Sequence, residues 1–449
     1  DVTNIDSVGL ITARQGIEVG ASPGVAASIS VDGNMIVSGI TTIGGDIKVG
    51  SGVTIGKDGH LFATGVTTST TVKVGAAVTI SESGIEASGI GITCARINGG
   101  QIGTKNKIIN GDMRIAQRAT SSTSITSSSN GFKTIDRWTS YVNDSGTYTN
   151  TQATVTDLPG FNVSNKWEVT AADASVAANS YLLIGQTIER NNLVDLAKGT
   201  SSAKSTTLSF YVKCSITGNF GVELYDTVNT RHIAALYTIS SADTWERKVF
   251  TFPGDTTGTI TGGVAAGMNV FWWLHSGSNH NSGTLATSWA AASNPNRAAG
   301  ITNLGSNNGA TWQITGVQLE VGPQATDFEH LPYGETLSQC HRYYQKITGG
   351  GNCQGVVNSG GEAVRMGFPL LKPMRAAPSV TVTGALKVYD GTTTRDYNAV
   401  SAAYVNSAFA FDFDTTSSQA TGGSTMNAGN GCVMYSNPDT GGFECSSEV

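Results

Sequence analysis

The chain has 449 residues, enough for about three domains, and carries 27 Lys and Arg against 33 Asp and Glu for a net charge of −6. Its cations are scattered rather than clustered, which excludes a nucleic-acid footprint, and no apolar run approaches the roughly 18 residues a membrane-spanning helix needs. Charged residues are only 13% while Gly numbers 56, the balance of a turn-rich, all-β chain without membrane insertion.

Residues 1–103 repeat. Ile47-Lys48-Val49-Gly50 returns as Val72-Lys73-Val74-Gly75, and Val53-Thr54-Ile55-Gly56 as Val78-Thr79-Ile80-Ser81, each after 25 residues. A weaker copy precedes them at Gly16–Gly20 and Ser28–Gly33. Trp and Tyr are absent here, and Val, Ile and Thr alternate between Gly turns, as strands prefer. Each unit reads as two or three strands of about four to six residues, too short to bury their own apolar face, so the units stack on one another or on other chains. A homotrimeric fibrous shaft is expected, with a single-chain solenoid as the alternative. Val49, Val53, Ile55, Val74, Val78 and Ile80 are expected to face inward, so that Asp at Ile55 or Ile80 would bury an unpaired charge. The chain starts at Asp1, with neither an initiator Met nor a signal peptide, and reads as a fragment or a processed product.

All seven Trp lie between Trp138 and Trp312, which marks a second domain over 104–335. The domain opens with Asn106–Met113 and closes with Ala310–Gly322, and strands are expected between them at Thr207–Val212, Gly221–Tyr225, Arg247–Phe252 and Asn269–Leu274. Together they form a jelly-roll-like antiparallel sandwich whose first and last segments pair. In Val270–His275, alternation puts Val270, Trp272 and Leu274 on one face and Phe271, Trp273 and His275 on the other. Trp272 is the expected core residue of the pair, and Trp138, Trp167, Trp245 and Trp312 are assigned to core.

Over 336–348 a short helix is expected, with Thr336 and Gln339 as a capping box. Leu337, Cys340, Tyr344 and Ile347 form its seam, either on a trimer axis as a coiled coil or docked on its own domain. After Gly349-Gly350-Gly351 a C-terminal β-sandwich tip over 349–449 follows, with strands at Val380–Thr383, Leu386–Tyr389 and Phe409–Asp414. In the last, Asp412 and Asp414 share a face that is either solvated or a catalytic or metal pair, the solvated reading being expected.

The six cysteines, Cys94, Cys214, Cys340, Cys353, Cys432 and Cys445, lack zinc spacing. They read as mostly free thiols of a protein assembled in a reducing cytoplasm, with Cys432 and Cys445 able to pair if two strands bring them together. Gly20-Ala21-Ser22-Pro23-Gly24 matches a nucleophile-elbow pattern but lies in a shaft turn. No metalloprotease, Walker or Rossmann motif occurs. No catalytic residue, metal or cofactor is therefore assigned, and an enzyme is not expected.

Three stretches carry a resemblance. Ile109–Arg118 with Asp136-Arg137-Trp138, then Phe252–Gly258 with Ser276–Asn279, and above all Ile314–Gln345 with Cys340–Gln345, resemble bacteriophage tail-fibre and tail-tip proteins. The shaft is similar to Gly-Ile-Thr-rich repeats of marine cyanophage structural proteins. The middle domain looks like a carbohydrate-binding module of the jelly-roll kind, departing from it at Arg114, where such modules often place an acidic residue near a structural calcium. The resemblance implies a virion protein, assembled in the bacterial host cytoplasm, that contacts other virion proteins through its N-terminal side and binds a host surface polysaccharide. Stacking on aromatic rings beside amide donors is the chemistry such binding needs. It points to Trp273, His275, Asn279, His280, Asn281 and Trp289 as the candidate glycan site, with loss of adsorption expected in a Trp273→Ala, Trp289→Ala variant. A structural connector and a depolymerising tailspike are the alternative readings.

Overall fold

The computed structural model describes residues 105–348 continuously, the C-terminal region as 353–358, 360–361, 364–384, 386–397, 402–404, 410–414, 420–436 and 442–449, and residues 1–104 only as nine short strands. The chain divides into two compact units, Asp1–Thr93 and Cys94–Val449.

In the first unit each repeat is a three-stranded antiparallel meander: Ile17–Val19 with Ala27–Ile29 and Met35–Val37, Ile47–Val49 with Val53–Ile55 and Leu61–Ala63, and Thr71–Val74 with Val78–Ser81 and Gly84–Ala87. The strands have three or four residues, shorter than the sequence pattern suggests. Val49 stands opposite Val53 and Ile47 opposite Ile55; Val74 stands opposite Val78 and Val72 opposite Ile80. The expected inward residues thus occupy matching register positions, while their side chains lie outside the described residues.

The second unit begins with a β-sandwich. One sheet orders Ser121–Ile125, Thr147–Thr154, Val163–Ala171, Thr311–Val321, Thr206–Cys214 and Glu246–Phe252. The facing sheet orders Gly131–Phe132, Thr139–Asn143, Tyr181–Glu189, Ala266–Ser276, Gly218–Asp226, Arg231–Ile239 and Ala290–Ala291. All recorded pairings in both sheets are antiparallel. Alternating residues from both inner faces fill one core, where Phe210 meets Trp272 edge-on at 5.6 Å. Trp138, Trp167 and Trp312 are buried as expected, but Trp245 is half-exposed, its Nε1 donating to Asp157 at 2.9 Å. The opening and closing segments do run together. Lys107 N donates to Leu319 O and Val317 N to Gly111 O, with Gly111 so close that a Cβ would lie 2.1 Å from Val317 O.

The helix departs from expectation. It spans Tyr333–His341, begins at Pro332 without a side-chain cap, and holds Thr336 inside rather than at its start. Tyr344 and Ile347 lie on the strand Tyr344–Thr348, so the four-residue seam does not exist and a coiled coil over 336–348 is excluded. The chain turns at Arg342 because Cys340, Tyr343 and Tyr344 all bury against their own unit. The third domain therefore starts at Tyr344, not at 349. Tyr344–Thr348 pairs with Gly442–Ser446, which pairs with Ser379–Thr383. An eight-stranded sheet completes this domain, in the order Ala402–Tyr404, Ala410–Asp414, Val364–Pro369, Cys353–Val357, Gly431–Ser436, Leu386–Tyr389, Thr394–Tyr397 and Ala420–Gly423. Asp412 and Asp414 lie on a strand whose side chains are outside the described residues.

Cys432 and Cys445 do not pair. They lie on strands of different sheets, and both are buried free thiols, as are Cys214 and Cys340. Burial pushes the Cys432 thiol up to about 11 and the Cys445 thiol up to about 12, which leaves both protonated and unreactive at neutral pH. Cys94 and the side chain of Cys353 are outside the described residues.

Candidate functional site

An aromatic groove of about 330 Å³ lies on the outer face of the seven-stranded sheet. Strand alternation builds it. Leu182, Ile184, Val222, Leu224, Val270, Trp272 and Leu274 point into the sandwich core, so their odd-numbered neighbours face outward. Register then sets Tyr141 beside Leu183, Leu183 and Gly221 beside Trp273, Gly185 and Glu223 beside Phe271, and Thr187 and Tyr225 beside Asn269. Gly185 is required, because a Cβ there would lie 2.3 Å from Val270 O and 2.6 Å from Phe271 Cδ1. It lets the Phe271 ring lie down across the sheet, edge to Tyr141 at 5.6 Å. Tyr181 meets Trp273 at 6.4 Å and His280 at 5.3 Å, both near-perpendicular.

Beneath the groove sits a closed polar knot. Glu223 is fully buried, and its carboxylate accepts from Arg297 Nε and Nη2 and from Trp273 Nε1, all at 2.9 Å, with His232 Nδ1 2.8 Å away. Burial pushes the carboxyl up, but His232, Arg297 and Trp273 more than offset it and hold Glu223 below the usual glutamate value. The Arg297 guanidinium lies 4.8 Å over Tyr225 and 4.9 Å over Trp273. Asn269 Oδ1 accepts from Thr187 Oγ1 at 2.6 Å, which orients the amide. No Asp or Glu is among the residues lining the groove.

The structure redistributes the residues expected from sequence. His280 lines the groove. Trp273 lies under it with no exposed surface, so it is floor and not a stacking platform, and Trp272 is equally buried. His275 is also fully buried: a β-bulge between Trp273 and His275 shifts the alternation, and its Nε2 lies 3.1 Å from Asp173 Oδ2. Asn279 is exposed on the short turn of helix Ser278–Asn281, and Asn281 Nδ2 is bound to Ser276 O at 2.8 Å. Trp289 is apart from the groove, half-buried, donating to Pro253 O at 2.8 Å beneath Lys198. Trp273→Ala thus probes packing, while Trp289→Ala changes a half-buried ring outside the groove. Sequence reasoning missed Tyr141, Tyr181, Tyr225, Asn269, Asn294 and Arg297. For Tyr141, Tyr181, Tyr225 and Asn269 the signal was strand alternation, which becomes a site only once register joins four strands; Asn294 and Arg297 lie on and just after the short helical turn Asn294–Asn296 and carried no such signal.

The recognisable motifs converge elsewhere, on the joint between the sandwich and the C-terminal domain. Arg137 is 1% exposed; it pairs with Glu448, donates to Thr187 O at 2.6 Å and stacks 3.6 Å over Tyr343. Arg118 stacks 3.6 Å over Tyr344 and reaches Glu448 at 3.2 Å. Arg342 holds Glu189 through two hydrogen bonds of 2.7 and 3.0 Å, and Tyr343 adds a third at 3.0 Å.

No protein-family model and no curated protein matches the chain. Solved structures similar to it include the enzymatically active domain of tailspike protein 4 of bacteriophage CBA120, with 13% identity over 48% of this chain and 21% of that one at a TM-score of 0.26. They also include a CBM4 structure, with 12% identity over 47% of this chain and 97% of that one at 0.24. A third is the family 11 carbohydrate-binding module from Clostridium thermocellum in complex with a β-1,3-1,4-mixed-linked tetrasaccharide, with 11% identity over 47% and 99% at 0.23. This chain spans about a fifth of the tailspike domain. Likenesses at these scores do not bear on function.

Proposed function

We propose that the protein is a non-enzymatic phage fibre whose β-sandwich binds a glycan on the host surface. The aromatic groove carries this reading. Tyr141, Tyr181 and Tyr225 are the partly exposed rings of a concave sheet face, beside Asn269, Asn294 and Arg297 as hydrogen-bonding groups. That is the combination sugar faces and hydroxyls call for. The repeated meanders supply the shaft that would carry the site away from a virion. A glycan array probed with the full chain tests it: Tyr141→Ala with Tyr181→Ala should abolish the signal while leaving the melting curve intact, and an unchanged array would place recognition elsewhere. Because both rings sit on the surface of formed strands, their loss should cost little stability.

The shaft units cannot close their own cores, so the proposal includes a homotrimer. Sedimentation of the full chain should give about three times the 46.4 kDa chain mass; a stable monomer at micromolar concentration refutes it. Three sites per fibre would raise adsorption by avidity well beyond single-site affinity.

One observation favours the connector as a second reading. On the C-terminal domain Tyr389 stands opposite Val433, and Val356 shares their solvent face, with all three more than a third exposed. Such an apolar strip suits a protein contact.

A further inference from the structure

We propose that the groove selects a negatively charged glycan, one bearing carboxylate or sulfate groups. This inference rests on the glycan-binding reading and names the ligand class. The polar atoms that the fold leaves free in the groove are mainly donors. Asn269 spends its oxygen on the Thr187 hydroxyl, so its amide NH₂ is what remains for a ligand. Arg297 spends Nε and Nη2 on Glu223, and its Nη1 makes no hydrogen bond among the described residues. His280 lines the wall; its Nδ1 is buried without a partner, and the neutral ring carries one donor and one acceptor nitrogen. The nearest carboxylate, Glu223, is fully buried and saturated by Arg297, Trp273 and the neighbouring His232. A neutral sugar presents hydroxyls that need acceptors as well as donors. Among the lining side chains the acceptors are Asn294, the tyrosine hydroxyls and, while its ring is neutral, one nitrogen of His280. A carboxylate or sulfate needs donors alone, and charge-assisted bonds to Arg are the stronger kind.

His280 adds a dependence on pH. Burial first, and the Arg297 charge second, hold its pKa below 6.5, against a weaker opposing pull from Glu223. Those two are the charged groups acting on it; Tyr181, on the neighbouring strand, is the titratable ring packed against it. The ring is therefore neutral at neutral pH and gains a proton only in acid. A bound anion favours the protonated ring, so affinity for an anionic glycan rises as pH falls, while the ligand stays ionised.

The test uses the full chain and three ligands on one backbone: dextran, carboxymethyl-dextran and dextran sulfate, with a panel of neutral polysaccharides alongside. At least one charged form should bind about tenfold tighter than dextran or more, and which one binds separates carboxylate from sulfate. Binding should tighten about threefold to tenfold from about pH 7.5 to about pH 5.5, and His280→Gln should flatten that change, whatever its effect on affinity at the higher pH. Tyr181→Ala should weaken binding at both. At pH 7 the protein itself carries a net charge of −6, so diffuse repulsion of a polyanion works against a false positive there. Equal binding of neutral and charged forms overturns this inference and leaves the glycan reading standing. Charged binding that ignores pH or survives Tyr181→Ala overturns the inference as adventitious. No binding to any polysaccharide overturns both.

Discussion

Replacing Lys198 by Met is expected to cost about 3–5 kcal/mol of stability. The Lys198 ammonium is a cation built into the fold. It lies 2.6 Å from Asp226 Oδ2 and 2.9 Å from Asp255 Oδ2, and donates to the carbonyls of Thr257 and Gly258 at 3.0 and 2.9 Å. All three charged side chains are at most 3% exposed. Met fills the same volume and removes the charge, which leaves two buried carboxylates with Arg231 as their one cation among the described residues, beside the Asn229 amide and the backbone N–H groups of Val228, Asn229 and Thr257. The sign with pH follows. Burial pushes the Asp255 carboxyl up, but Arg231 and Lys198 pull it further down, so its folded pKa lies below its unfolded one. Its contribution is present above the unfolded value of about 3.9 and is lost as pH falls through the folded value. In the variant Asp255 can take up a proton instead, so the deficit should shrink as pH is lowered. Chemical denaturation at several pH values measures this; a deficit under about 1 kcal/mol at neutral pH would mean the pair is not held as described.

The second large effect concerns the C-terminus. Glu448→Ala should loosen the joint by about 3–5 kcal/mol, because Arg137 would keep its charge in a buried site with, among the described residues, only Thr187 O and the Tyr343 ring as partners. The sandwich has its own core and so does the C-terminal domain, so the expected result is separate melting transitions and easier proteolysis between them rather than global unfolding. A single unshifted transition would contradict it. Asp136 adds a pH term to the same joint. Burial, opposed by Gln117 and Arg118, pushes its pKa up to about 6. A raised folded pKa stabilises below the unfolded value and the gain is lost as pH rises through about 6, so the joint should hold more firmly in mild acid, and Asp136→Asn should remove that dependence.

The all-β class and most sandwich strands were legible because alternation over long segments leaves little choice. Thr207–Val212 lies inside Thr206–Cys214, and Leu386–Tyr389 is matched at both ends. The helix was misread because Leu337, Cys340, Tyr344 and Ile347 satisfy a helical spacing. The burial of Tyr343 beneath Arg137 instead turns the chain after His341, a tertiary preference that local spacing does not carry. The most recognisable residues, Asp136-Arg137 and Arg342-Tyr343-Tyr344, turned out to be joint and not ligand site. The site was half legible for the opposite reason. Trp273 and His280 advertise chemistry in one segment, but their groove is assembled by Tyr141, Tyr181 and Tyr225 from three other strands. None of those three looks unusual until the register brings them together.

Recognition of a host glycan by this groove, as proposed, has a direct test. Adsorption of the labelled full chain to host cells, compared with the Tyr141→Ala, Tyr181→Ala variant, tests it most directly. Each ring stacked on a sugar contributes about 1 kcal/mol, and avidity multiplies the loss. The variant should melt as the parent does and adsorb at least about tenfold less. A correctly folded variant that adsorbs as well as the parent would contradict the claim.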